Sequence, residues 1–333
     1  MNPRHRHVQV VCPGGVMTAG PEALHQLVAE LNAVGQPASI VYHPFDRRFD
    51  TPAAYRKHGA PVGGYAQEAG TLIVFPEIFA TQALRCAPAE GAVWWMSVNN
   101  FTGQRYMRPW RDNLRYWKYV LKGRAPWGGV KAFAGLRNFA QSDYARDFLA
   151  GHGLASEPLS DPIPHYTAPA YLAELPGLLA TARREDVILY NPLKGAPVTA
   201  RLMAAFPQWT FRPLRGLDRT QLAQAFLGAK LYIDFGHHPG KDRLPREAAL
   251  HGCCVITARQ GSAANAVDLP IPQECKFDVR APDFVQRFGA RVSDLFEHFE
   301  AHSRELEGYR ATIAQEPLRW REQVQAAFLS AAP

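Results

Sequence analysis

The chain has 333 residues, 47% hydrophobic and 20% charged, with a net charge of +7. It is too long for one core, so two domains of roughly 150 residues each are expected, and too apolar for a largely disordered chain. The basic balance favours acidic partners without naming them, and no apolar run reaches the ~18 residues that span a bilayer. Residues 1–7 lead straight into a strand with no signal-peptide core, so a cytoplasmic protein is expected. Cys12, Cys86, Cys253, Cys254 and Cys275 have no zinc-type spacing and no disulfide framework, which reads as reduced core thiols.

Taken in chain order, Val8–Cys12 is a β-branched strand, and Pro21–Leu31 is a helix with apolar residues at 24, 27, 28 and 31. Ala38–Tyr42, Thr71–Phe75 and Ala92–Met96 continue the strand series. Asn138–Gln141 leads into a helix that Ser142 caps and Gly151 ends. Prolines 158, 162, 164, 169 and 176 then interrupt the periodicity and mark a connection. A second series follows, with strands at Val187–Tyr190, Thr210–Arg212, Lys230–Phe235, Cys253–Thr257 and Cys275–Asp278. Its helices run over Thr199–Phe206, from a capping box at Asp218–Gln221, and from Pro245. The tail Asp283–Phe328 reads as helix with a break at Pro317. Continuous apolar strands alternating with helices imply parallel sheets covered on both faces. The expected architecture is α/β, two doubly wound Rossmann-like domains across a cleft. Residues 1–165 form the first, residues 166–315 the second, and 316–333 a helix returning to the first.

Between Phe101 and Phe139 lie nine Arg/Lys residues (Arg105, Arg108, Arg111, Arg115, Lys118, Lys122, Arg124, Lys131, Arg137) against one acid, Asp112, with Tyr106, Trp110, Tyr116, Trp117, Tyr119 and Trp127 interleaved. Cations with amphipathic aromatics suit an anionic headgroup layer or a phosphate-bearing lipid acceptor. Single-stranded nucleic acid favours the same chemistry, and a packed helix with a solvated basic face is the plain alternative.

The richest segment runs from Asp234 to Glu247, Asp-Phe-Gly-His-His-Pro-Gly-Lys-Asp-Arg-Leu-Pro-Arg-Glu, between two strands. It belongs at the carboxyl edge of a parallel sheet, where open α/β sheets bind ligands. Lys241, Arg243 and Arg246 crowd a helix start, where amide donors and the dipole favour a phosphate or diphosphate. His237 and His238 adjoin Asp234 and Asp242, but adjacent histidines on a tight turn point apart, which disfavours a shared metal. Contact with a sugar hydroxyl or phosphate suits them better. The first turn, Cys12–Gly20, lacks G-x-G-x-x-G, and Tyr42-His-Pro44 stands where a dehydrogenase needs an acid. Asn191–Gly195 lacks the Walker frame, so a dinucleotide oxidoreductase and an NTPase are both disfavoured.

The second half resembles the donor-binding half of GT-B glycosyltransferases, two-Rossmann-domain enzymes that use nucleotide sugars, especially those of bacterial capsule and lipopolysaccharide assembly. The matching segments are Leu189–Gly195, Asp234–Glu247 and Gly252–Thr257 leading to Gly261-Ser262, with weaker similarity at Phe75–Glu77, Trp94–Asn100 and Gln141–Ala145. The resemblance implies transfer from a nucleotide diphosphate sugar to a glycan or lipid-linked acceptor in surface polysaccharide synthesis, at the inner face of the membrane, with no cofactor and no nucleic acid. Related retaining enzymes carry two glutamates. Glu247 matches the second, which holds the nucleotide ribose, but Pro239 stands in place of the first, and a retaining mechanism loses that residue.

Donor roles then fall to Lys194, His237, His238, the Gly240 backbone, Lys241, Arg243, Glu247, Gly261 and Ser262, the cations neutralising the diphosphate in place of a metal. His238, shaping the donor sugar site, and Lys241, stabilising charge on the departing phosphate, are catalytic candidates there. In the first domain Gly14, Gly15 and Thr18 at the first turn, with Asn99 and Asn100, form the acceptor rim. Glu77 is the candidate base for an inverting reaction, or else a rim carboxylate that caps a neighbouring helix. A sugar-nucleotide epimerase and a basic nucleic-acid or phosphoglycan binder remain as alternatives.

Overall fold

The computed structural model describes residues 2–102, 109–123 and 125–330. Arg105, Tyr106, Arg108 and Arg124 of the basic segment lie outside them. The chain divides into two compact units, residues 1–161 with 318–333, and residues 162–317.

In the first unit the strands are β1 (His7–Pro13), β2 (Ala38–His43), β3 (Thr71–Pro76), β4 (Glu90–Trp95), β5 (Arg137–Ala140) and β6 (Glu157–Pro158). They form one sheet in the order β2-β1-β3-β4-β5-β6, with every pairing parallel. Val8, Val10 and Cys12 point into one core and Val11, Ile73 and Phe75 into another. A sheet covered on both faces explains why its strands read as unbroken apolar runs. Helix α1 (Ala19–Ala33) buries Leu24, Leu27, Val28 and Leu31 against it. Helix α2 (Pro109–Leu121) lies within the basic segment, whose last member, Arg137, opens β5 and pairs with Glu157, and α3 (Asp143–Gly151) starts at Ser142, whose hydroxyl accepts the Ala145 N–H as expected.

The second unit repeats the plan. Its helices and strands are α4 (Pro169–Thr181), β7 (Glu185–Tyr190), α5 (Ala196–Ala205), β8 (Thr210–Pro213), α6 (Arg219–Gly228), β9 (Ala229–Asp234), α7 (Arg243–Leu250), β10 (Cys254–Ala258), β11 (Lys276–Phe277) and α8 (Phe284–Glu297). The sheet order is β11-β10-β9-β7-β8, again all parallel. Both sheets therefore place their first and third strands side by side, and the crossovers leave from there in opposite directions. That switch point is where such sheets open a crevice beyond the strand ends. The Asp218–Gln221 capping box forms in full.

Three expectations are corrected. The tail breaks at His298, Leu306 and Gln315, giving α9 (Phe299–Glu305), α10 (Glu307–Ala314) and α11 (Glu316–Phe328). Pro317 does not break the tail; it lies in the first turn of α11, where a missing N–H costs nothing. The last strand shrinks to two residues. Helix α7 begins at Arg243, two residues before Pro245. The returning helix joins the first unit, where Trp320, Val324 and Phe328 enter the core and Trp320 stacks on Trp94 at 5.8 Å. The five cysteines are free and buried, and no helix among the described residues is long and apolar enough to cross a membrane.

Candidate functional site

In the second unit β7 and β9 end at Tyr190 and Asp234, on either side of the switch point. The loops that follow meet there. Lys194 Nζ lies 2.8 Å from Asp242 Oδ1, and His238 Nδ1 lies 2.8 Å from Asp242 Oδ2. His238 Nε2 reaches the Asp234 carbonyl at 3.2 Å and faces its carboxylate at 3.7 Å. Asp234 in turn accepts from Gly236 N–H and from the Tyr232 hydroxyl. Burial opposes the imidazolium of His238, but Asp234 and Asp242 outweigh it and raise its pKa above the ordinary value. Burial likewise opposes the Asp242 carboxylate, yet His238 and Lys194 hold its pKa well below the ordinary carboxylate range. Two carboxylates thus meet one lysine and one imidazole whose charged form they favour.

A second cluster anchors the helix start. Arg246, 1% exposed, and Lys241 both pair with Glu316, at 2.9 Å each. Arg246 also donates to the Lys241 and Asp242 carbonyls. The loop is further pinned from the turn after β10. Ser262 N–H donates to His238 O, its hydroxyl donates to Gly240 O, and Gly261 sits at φ +55 with its α-carbon against the loop. A side chain at 261 would place Cβ 2.0 Å from His238 O, so only glycine allows this approach.

The expected array of converging cations is therefore corrected. Lys194 and Lys241 are already paired with carboxylates, because the sequence also supplies Asp242 and Glu316. His238 is 1% exposed with both ring nitrogens engaged, so it positions the loop and does not reach a sugar. His237 is partly exposed beside it, Gly240 is a carbonyl contact for Ser262, and Arg243 is the first residue of α7. Glu247 lies on that helix, 8% exposed and close enough to Tyr166 to raise its pKa, behind the larger effect of burial.

Asp242 occupies the N-cap position of α7, but its carboxylate is turned to Lys194 and His238 and caps no N–H of the helix. Residues of this type at that position normally take an amide from the first turn. Asp234, His238 and Asp242 also bring three potential metal-ligand atoms within 4.8 Å of one another. The Lys194 ammonium already supplies the cation that this acid pair requires, so the donor set is that of an ion-pair cluster.

In the first unit, a cavity of about 540 Å³ opens beyond the strand ends, lined by His43, Glu77, Thr81, Gln82, Asn99 and Asn100 together with Phe79, Phe101 and Tyr119. Glu77, 4% exposed, accepts from Met96 N–H at 3.2 Å and from Asn100 Nδ2 at 3.4 Å. Burial raises its pKa from 4.5 to about 7, although these donors favour the charged form. Its bonds to Met96 N–H and to Asn100 tie it to the start of the helix Val98–Thr102, and the same carboxyl lines the cavity. Asn99 accepts from the Tyr144 hydroxyl at 3.0 Å. His43, its pKa lowered by burial, packs at a tilt against Phe79 with ring centroids 4.3 Å apart and lies 3.1 Å from Gln82 Nε2.

Gly14, Gly15 and Thr18 do not line this cavity. The space above Gly14 is taken by the Phe49 ring, 2.5 Å from where a Cβ would sit, and Gly15 makes the turn at φ +71. The Thr18 carbonyl accepts from Tyr55. The close approach read from the glycines is therefore made by the protein's own side chain. Sequence reasoning missed Asp242 as an ion partner, although its place before a helix was visible, and it missed Glu316, which no local pattern links to Arg246. It also missed Thr81 and Gln82, one turn on from Glu77, and His43 at the end of β2, all of which line the cavity with it.

No protein-family model matches the chain, and no curated protein matches it. Solved structures do. The chain is similar to the Anabaena protein Alr3699/HepE in complex with UDP-glucose, at 13% identity over 97% of this chain and 99% of that one, TM-score 0.61. It is similar to WaaG, a glycosyltransferase involved in lipopolysaccharide biosynthesis, at 9% identity over 96% and 99%, TM-score 0.59. An OtsA apo structure matches at 11% identity over 98% and 100%, TM-score 0.60. At such identities the likeness is one of fold, and the fold is GT-B.

Proposed function

We propose that this chain is a metal-independent glycosyltransferase that moves a sugar from a nucleotide diphosphate donor to a glycan or lipid-linked acceptor in bacterial surface polysaccharide synthesis. The observation that carries the reading is the 234–247 loop at the switch point of the second sheet. Its N-cap acid is drawn away from α7, so the Asp242 carboxylate does not neutralise the positive dipole end of that helix, which favours an anion. Arg243 stands at that start, and Lys194, its side chain 29% exposed, lies beside it. The donor diphosphate sits there, with Glu247 on the same helix accepting from the ribose hydroxyls. The lysine within the acid cluster supports work without a metal, since the charge a cation would supply is already built in. The full-length likeness to a protein with UDP-glucose bound and to a lipopolysaccharide glycosyltransferase supports the donor and acceptor classes.

The acceptor belongs in the Glu77 cavity. Its carboxamides, its hydroxyl and its aromatic walls suit sugar hydroxyls, and a carboxylate with pKa about 7 takes a hydroxyl proton near neutral pH. The acceptor oxygen then bonds to the anomeric carbon while the phosphate oxygen leaves with its electron pair. We assign the anionic membrane contact to α2, where Leu114, Trp117 and Leu121, spaced three and four apart, are exposed together with Trp127 beside Lys118 and Lys122. A panel of nucleotide diphosphate sugars tested by thermal shift checks the donor reading. One or more stabilises the chain, and sugar appears on an added glycan. No stabilisation by any of them contradicts the proposal.

A further inference from the structure

At the other edge of the second sheet, beside the amino ends of β7 and β9, a cavity of about 510 Å³ opens between the end of α4, the turn at Gly252, and helices α9 and α10. Its charged lining is Arg184, Lys230, Arg304 and Arg310 against Glu300 and Glu307. Arg184 donates to three main-chain oxygens, those of Phe226 at 3.1 Å, Ala229 at 2.9 Å and His251 at 2.5 Å. These carbonyls end α6 and α7, and no carboxylate pairs with Arg184 among the described residues. Arg310 donates to Ser303 O at 2.9 Å, and the carboxylate paired with it, Glu307, stands off at 3.9 Å on an exposed side chain. Lys230 is neutralised by Asp186 at 2.6 Å and also donates to Phe296 O. Arg184 and Lys230 share the Phe299 ring, at 5.4 and 5.8 Å.

Two guanidiniums are thus fixed in place by backbone oxygens, which orient them without spending their charge. Burial lowers the Arg310 pKa and Arg184 lowers it further, with Glu307 opposing, so a bound anion relieves a repulsion already present. A planar guanidinium offers its remaining N–H groups as a fork that matches phosphate oxygens. We propose that this cavity is a second anion site, separate from the donor loop on the opposite edge of the sheet, and that it takes a small phosphorylated molecule with Arg184 and Arg310 as fixed donors and Arg304 at the rim. The volume admits a sugar phosphate or a pyrophosphate, and the shared chemistry is a di- or trianionic phosphate. The inference stands apart from the assignment of the donor site.

Isothermal titration of the full chain with inorganic pyrophosphate tests it, on the wild type and on Arg310→Ala, Arg304→Ala and Lys194→Ala. The expected result is a binding event that survives Lys194→Ala unchanged, weakens about tenfold or more in Arg310→Ala, and weakens to a smaller degree in Arg304→Ala. Thermal unfolding of Arg310→Ala controls for lost packing, and exposed Arg304 gives an arm free of that concern. No binding by the wild type, or equal affinity in both arginine variants, overturns the site. Loss in Lys194→Ala alone assigns the pyrophosphate to the donor loop and also overturns it.

Discussion

Beyond the carboxyl ends of the first sheet, Glu77 stands as one buried carboxyl with no cation paired to it among the described residues, facing a cavity of about 540 Å³. Beyond the same ends of the second sheet, Asp234, Asp242, Lys194 and His238 form a closed set, and Arg246, Lys241 and Glu316 form another. The strand order is shared, so the difference lies in what the loops carry. Where charges pair in place, the loop is held by ion pairs and by the Ser262 bonds to the His238 and Gly240 carbonyls. Where one carboxyl is left unbalanced, desolvation moves its pKa into the range where it exchanges protons at neutral pH. Under the proposed function, one edge holds the donor and the other transfers a proton.

The comparison breaks most visibly at Glu316. Replacing it by alanine removes the carboxylate that buried Arg246 shares with Lys241, and unfolding by denaturant should show a loss of about 3–5 kcal/mol. An unchanged midpoint would mean that the pairs do not anchor the loop. Of similar size is Glu77→Gln, expected to lower kcat/KM by ~10²–10⁴ as a lost general base does. Its effect on stability has the opposite sign. The folded pKa of Glu77 is raised, so its contribution is fully present below 4.5 and lost as pH rises through about 7. The glutamine variant should therefore be more stable than the wild type at pH 8, by up to about 3 kcal/mol, and lose that advantage at pH 4. A wild-type rate that rises through pH 7 and a variant rate that stays flat complete the test. An unchanged rate in the variant leaves Glu77 as a cap only.

The sequence made the two-sheet plan legible because buried parallel strands leave unbroken apolar runs, and the location of both edges followed from where those runs end. Helix starts at Ser142 and Asp218 were equally local. What stayed hidden was pairing. Lys194 and Lys241 read as free cations because their partners, Asp242 and Glu316, lie 48 and 75 residues away. Gly14 read as an opening for a ligand because the Phe49 ring that fills it comes from another loop. Such contacts depend on tertiary distance, which spacing along the chain does not encode.

The smallest expected effect concerns the surface of α2. Leu121→Ser with Trp127→Ala should leave folding stability within ±0.5 kcal/mol while weakening binding to vesicles that contain anionic lipid, measured by co-sedimentation at low and moderate salt. Equal binding by the variant removes the helix from the membrane contact.

The central claim is that the loop from Asp234 to Glu247 holds the donor's diphosphate and ribose. Calorimetric titration of the stabilising nucleotide sugar into the wild type, Lys194→Ala and Glu247→Ala tests it most directly. The account predicts at least tenfold weaker binding in each variant, equivalent to about 1.4 kcal/mol, with both still folded. Wild-type affinity in both variants would contradict it.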